Sequence, residues 1–186
     1  SLIKNLGGTI VPTGGYIAGK AVLVDQACCG LTAPGIGSEA GITFDLNRTI
    51  LQGLFLAPQM VAEALIGAEI ISQTFSDLGF QVLPTKGSKR ADLIQVVRIG
   101  DPKILQMICR SFQEKSPIGS FLDPIPAPMP GYENSLVMAG GTFVDGSTSE
   151  FSADAPMKPP FDLFIQGGSH RSHVKIALIH ALSNLF

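Results

Sequence analysis

At 186 residues and 19.6 kDa the chain has the length of one large domain or two small ones, and a 45% hydrophobic content is enough to build a sizeable core. Charged residues make up only 15% of it, below the roughly 25% usual for a globular domain, so part of the surface is expected to be covered by other protein. A formal net charge of -2 and a pI near 5.9 provide no basic field for nucleic acid or an anionic membrane, and neither is expected as a partner.

The longest apolar run, near Leu51 to Ala57, falls short of the roughly 20 residues that span a bilayer, and the N-terminus lacks the layout of a signal peptide. The expectation is a soluble, cytoplasmic protein. Three cysteines, two of them adjacent at Cys28 and Cys29, have no metal-ligand spacing and read as reduced, buried thiols. The start at Ser1 suggests a processed product or a piece of something longer.

Along the chain, residues 1 to 15 read as a glycine-rich loop and Tyr16 to Ala18 as a short strand. Helical periodicity over Val22 to Leu31 ends at Thr32-Ala33-Pro34-Gly35. From Asp45, expected to be an N-cap, apolar residues recur at helical spacing to Leu78-Gly79. This predicts one long helix, or two end to end with a break at Pro58, and Gly79 suits its left-handed C-terminal position. Gln81 to Leu83 and Asp92 to Ile99 read as strands. Asp101-Pro102 supplies an N-cap and N1 proline for a helix to about Lys115. The proline-rich stretch from Phe121 to Tyr132 reads as an extended loop. Leu136 to Ala139, Thr142 to Val144 and Phe161 to Gln166 are further strands, and Val174 to Leu185 closes the chain as a helix. Residues 1–45 thus look like the tail of one domain, 46–79 a connecting helix, and 80–186 a small α+β domain.

Two lysines near the N-terminus compete for a chemical role. Gly14 to Lys20, GGYIAGK, has the spacing of a phosphate-binding P-loop, but no buried strand precedes it and Lys20 is followed by Ala21 where a magnesium-binding hydroxyl is needed. Lys20 therefore reads as a solvated residue at a helix start. His170, His173 and His180 lack a Cys or carboxylate at useful spacing, so no metal is expected. Arg48 reads as a helix-surface residue, with a carboxylate partner or a neighbouring subunit's site as alternatives.

SLIKN-x-GG, PTGGYIAGK, LTAPGIG, LQGLFLAPQMVAEAL, GTFVDGSTSE-x-SAD-x-P and PPFDLFIQGG together resemble the methionine gamma-lyase-like family also known as aluminium resistance proteins. The resemblance covers essentially the whole chain. It implies an α/β fold: the C-terminal portion of a fold-type I enzyme using pyridoxal 5'-phosphate (PLP), with the end of the large domain followed by the small α+β domain. The missing N-terminal half would then be a partner, in a homo-oligomer such as a dimer or tetramer. The implied activity is a carbon-sulfur lyase acting on sulfur-containing amino acids by α,γ- or α,β-elimination.

By the same resemblance Lys4 is the Schiff-base lysine, and Ser1, three residues earlier, inherits a hydroxyl on the cofactor phosphate. Glycine-rich backbone at Gly7-Gly8 suits the close approach of a planar ring to main chain. Lys158 stands where relatives are expected to carry an arginine for the substrate carboxylate, offering a point charge in place of a bidentate fork. Ser147 and Ser149 are companion candidates, and equally read as a turn of small polar residues. The alternative function is a non-catalytic fragment or degenerate member serving as an assembly half.

Overall fold

The computed structural model describes residues 2–39, 41, 43–140 and 150–186. It opens with a 3-10 turn, Asn5–Gly7, followed by helix α1 (Ala21–Leu31) and the long helix α2 (Asn47–Asp77). Five strands and two helices complete it: β1 (Gln81–Leu83), β2 (Gln95–Arg98), α3 (Pro102–Glu114), β3 (Leu136–Gly140), β4 (Ser152–Pro156), β5 (Asp162–Gln166) and α4 (Arg171–Leu185). The strands form one antiparallel sheet in the order β1-β2-β5-β4-β3. The mixed α/β class is as expected.

One face of the sheet carries the core. Val97, Val137, Ala153, Ala155, Leu163 and Ile165 point from the strands toward Leu105, Ile108 and Phe112 of α3, Val174, Ala177 and Leu178 of α4, and Ile71 and Phe75 of α2. Burying a Val, Leu, Ile or Phe side chain is worth roughly 1.5–3 kcal/mol, and this is what holds three helices to one face. Among the described residues the opposite face is open, with Met138, Asp154 and Phe164 aligned across β3, β4 and β5.

Polar contacts set how the helices meet. Asp101 caps α3, accepting from the N–H groups of Lys103 at 2.7 Å and Ile104 at 3.0 Å. α2 ends with Gly79 at φ 87° and the Phe80 N–H donating to the Phe75 carbonyl at 2.9 Å, while the two phenylalanine rings meet edge-on at 5.5 Å. At the start of α4 the Arg171 N–H donates to Glu63 Oε2 at 2.7 Å and its guanidinium adds further bonds, so α2 and α4 are clamped through one carboxylate. The three histidines serve similar structural ends. His170 Nδ1 caps α4, His173 Nε2 meets the Lys115 carbonyl at 2.8 Å, and His180 pairs with Glu114.

Several expected elements differ. Pro58 does not break α2, which runs through it: one missing N–H is tolerated where the remaining helix is docked on both sides. α2 starts at Asn47 with no side-chain cap, because Asp45 lies at φ 59° and points its chain away from a capping geometry. Tyr16 to Ala18 forms no strand among the described residues, since no neighbouring chain pairs with it. The expected strand at Thr142 to Val144 lies outside the described residues. β4 was not expected at all, because Ser-Ala-Asp-Ala-Pro lacks the β-branched and aromatic residues that mark a strand.

α2 is long and apolar enough to cross a bilayer by length and composition alone. Its C-terminal half instead packs on the sheet and carries Glu63 and Glu69 paired with Arg171 and Arg90. Its N-terminal half exposes Leu51, Leu54 and Phe55, the last 83% exposed, and α1 buries none of its residues. Cys109 is fully buried in the core, where loss of hydration pushes its thiol up to about 12. Cys28 is half-buried, and Cys29 is exposed, contrary to the expectation of buried thiols.

The Arg171 guanidinium holds the Glu63 carboxyl down from 4.5 to about 2. A depressed carboxylate stabilises the fold above its unfolded value and loses that contribution as pH falls through the folded one. The melting temperature is therefore expected to drop between about pH 4.5 and 2 more steeply in the native sequence than in Glu63→Gln, as read by thermal scans across that range.

Candidate active site

Lys4 immediately precedes the 3-10 turn, in extended backbone at φ -109° and ψ -151°. The Gly7 N–H donates to the Lys4 carbonyl at 2.9 Å and the Gly8 N–H to Asn5 at 3.0 Å, while the Leu2 N–H donates to Gly14 at 2.9 Å. The backbone around Lys4 is thus tied on both sides, which leaves only its side chain to move.

Glycine packing fixes the turn against α2. A Cβ on Gly53 would lie 2.2 Å from the Gly7 carbonyl oxygen, and one on Gly8, at φ 61°, would lie 2.4 Å from the Gly53 carbonyl oxygen. Main chain meets main chain at this point, and no side chain fits between. Helix α2 therefore connects the Lys4 turn directly to the sheet on which its other end rests.

The Lys4 side chain is exposed and lines a cleft of about 550 Å³. The far wall is the open face of the sheet: Met138 and Gly140 of β3, Ser152 and Asp154 of β4, and Gln166 of β5. The loop 119–124 closes one side. It is held there by buried Gln113, whose Nε2 donates to the Gly119 carbonyl at 2.8 Å and whose Oε1 accepts from the Gly140 N–H at 2.8 Å. Arg110 neutralises Asp123 of the same loop through bonds of 2.7 and 3.0 Å.

Asp154 is the carboxylate that faces Lys4. Burial raises its carboxyl above the usual range, and the Lys4 charge opposes that rise. Asn5, directly after Lys4, is buried beneath the turn, with its Nδ2 lacking a hydrogen-bond partner among the described residues, and does not line the cleft. Asp154, Gln113 and Gln166 were not singled out from the sequence. The available signal was the Ala153-Asp154-Ala155 alternation, in which both alanines are fully buried and the carboxylate necessarily takes the other face of a strand.

Of the other expected site residues, Lys158 is exposed and lines an adjoining cavity of about 590 Å³ on the same sheet face, with Tyr132, Glu133 and Asp162. Asp154 is the residue shared by the two linings, so Lys158 and Lys4 open onto neighbouring spaces and do not line one. Ser1, Ser147 and Ser149 lie outside the described residues. Lys20 occupies the cap position of α1, exposed, and Arg48 is exposed on α2.

Comparison with known proteins is consistent along the whole chain. An uncharacterized 33.9 kDa protein from the glnA 5' region of Lactobacillus delbrueckii subsp. bulgaricus is 45% identical over 186 residues, all of this chain and 61% of that protein. The uncharacterized YnbB of Bacillus subtilis is 43% identical over 185 residues, 44% of its length. Among solved structures, a carbon-sulfur lyase involved in aluminum resistance from Clostridium novyi NT superposes with a TM-score of 0.91 at 43% identity, covering 100% of this chain and 43% of that one. A Listeria monocytogenes protein named as a candidate cystathionine beta-lyase involved in aluminum resistance gives 0.93 at 41% identity, covering 100% and 46%. The chain thus spans between about two fifths and three fifths of the length of these relatives. The methionine gamma-lyase family model matches residues 1–186, and the chain belongs to that family.

Proposed function

We propose that this chain supplies the reactive amine of a PLP-dependent carbon-sulfur lyase acting on sulfur-containing amino acids. The observation that carries the reading is Lys4: a side-chain amine on a backbone-locked glycine turn, opening into a cleft whose far wall bears a carboxylate. Family membership and the carbon-sulfur lyase named among the similar structures point the same way. Fold type I, with residues 1–45 closing a large domain, 46–79 connecting and 80–186 forming a small domain, belongs to the same proposal.

The residues present fit the aldehyde end of PLP. The cleft has room for a planar ring, and the amine that lines it is exposed. Lys4 would hold the cofactor, and Ser1 is proposed on its phosphate. When bound, PLP supplies a sink for the electron pair left as a substrate Cα–H bond breaks. Lys4, with its amine free, is the base placed to take that proton. Gln113 keeps the loop 119–124 at one side of the cleft, tying it to the end of β3. Lys158 is proposed to attract the substrate carboxylate from the adjoining cavity, with Ser147 and Ser149 as companions.

The exposed apolar residues of α1 and of the N-terminal half of α2 favour an assembly partner. We assign them to the remainder of the protein and to a homo-oligomer of cytoplasmic location. This surface is also what the alternative reading, an assembly half without catalysis, would use. A Lys4 variant that assembles normally but loses turnover separates the two.

Borohydride reduction of the intact PLP-loaded protein is expected to leave a pyridoxyl adduct that peptide mapping places on Lys4. An adduct elsewhere, or none, would sink the proposal. Lys4→Ala should lose the adduct and reduce 2-oxo acid release from sulfur amino acids by at least about 10²-fold, the lower range for removal of a proton-transfer group. Gly53→Ala should displace the Lys4 turn, because its methyl would overlap the Gly7 carbonyl; weakened PLP binding with α2 helicity preserved is the expected result, by equilibrium dialysis and circular dichroism.

A further inference from the structure

We infer that Asp154 is the counter-charge for the ammonium form of Lys4, a positioning residue that steadies the proton Lys4 gains and keeps the amine turned toward the sheet. The kinetic part of this inference rests on the function proposed above; the part concerning the amine itself does not.

The placement of Asp154 is determined by the fold. It sits on β4, an interior strand between β3 and β5, opposite Met138 on one side and Phe164 on the other. Ala153 and Ala155 are fully buried on the other face, so the strand cannot rotate the carboxyl away without exposing core. An aspartate between two apolar neighbours gains no hydrogen bond from them, and the cation that lines the same cleft is Lys4.

The charges around it isolate one pair. Among the described residues lining the cleft, Lys4 is the one cation, and the carboxylates are Asp123 and Asp154. Asp123 is already held by Arg110, so its charge is spent. In the adjoining cavity Asp162 is held by Arg98 at 3.0 Å, while Glu133 and Lys158 are exposed to water. The Lys4 charge acts on Asp154, yet no ion pair of 4.0 Å or less joins them among the described residues. The amine is exposed to the cleft, and the carboxylate acts on it from the sheet side.

The chemical consequence follows from charge balance. When Lys4 takes the substrate α-proton, the lone pair on Nζ forms the new N–H bond, the electron pair of the broken C–H bond stays with the substrate, and Nζ becomes positive. A carboxylate lining the same cleft offsets that new positive charge once the proton has arrived. Substrate binding makes no such demand, so the effect belongs on turnover.

Two measurements test this. In the cofactor-free intact protein, competitive acetylation with acetic anhydride at fixed mildly alkaline pH, read by peptide mass spectrometry with exposed Lys20 as internal reference, reports the availability of the Lys4 amine. Asp154→Asn removes the negative charge at constant shape and should raise Lys4 labelling relative to Lys20 by about two- to threefold, the size expected for one partly screened charge. Asp154→Glu should restore the native ratio. In the PLP-loaded protein, Asp154→Asn should lower kcat by about tenfold with KM within about twofold of native. An unchanged labelling ratio in Asp154→Asn overturns the inference, as does a loss confined to KM. If the native protein forms no Lys4 adduct with PLP, the proposed function fails and the labelling ratio still decides whether the pair exists. Should Asp154→Asn unfold, Asp154→Ser carries the same charge change and the same two readouts.

Discussion

The contact between Gly7-Gly8 and Gly53 is the constraint on which the site depends. Two stretches of backbone approach so closely that a single methyl group at either Gly8 or Gly53 would reach the other's carbonyl or its neighbour's. The Lys4 turn has no strand or helix of its own to anchor it, and the turn inherits its position from α2. Helix α2 in turn rests on the sheet through Ile71 and Phe75 and on α4 through Glu63 and Arg171. The position of one amine is thus passed along some twenty residues of helix to the face that carries Asp154.

The same chain of supports explains why a buried carboxylate is tolerated at Glu63. Its oxygens accept from both the backbone and the guanidinium of Arg171, so protein donors take the place of much of the water the carboxylate loses. At Asp154 the opposite holds: among the described residues no donor lies within bonding distance, and the carboxyl rises where that of Glu63 falls. The contrast between the two, one carboxylate satisfied by donors and the other not, is what sets Asp154 apart as the group proposed to answer the Lys4 charge.

Much of this was legible in the sequence. The helical periodicity gave α2 and α4, Asp101-Pro102 gave the start of α3, and Gly79 gave the end of α2, since each depends on local chemistry. What was not legible depended on neighbours distant in sequence. β4 is a strand because β3 and β5 flank it, not because Ser-Ala-Asp-Ala-Pro prefers extension. Tyr16 to Ala18 has strand-like residues and forms none, for want of a flanking strand. Pro58 reads locally as a break, yet packing at both ends of α2 outweighs one lost hydrogen bond. Lys4 was legible through resemblance to a family, whereas Asp154 required knowing which face of β4 was open.

Pro58 lies five positions beyond Gly53 in α2, a separation of about 7–8 Å along the axis. A helix interrupted by proline lacks one rung of its ladder and bends more readily there than elsewhere. A tilt of about ten degrees at that rung would carry the Gly53 contact, and the lysine attached to it, by about 1 Å relative to the sheet. The residue that looks like a flaw in the long helix therefore lies between the contact that sets the amine and the packing that sets the sheet.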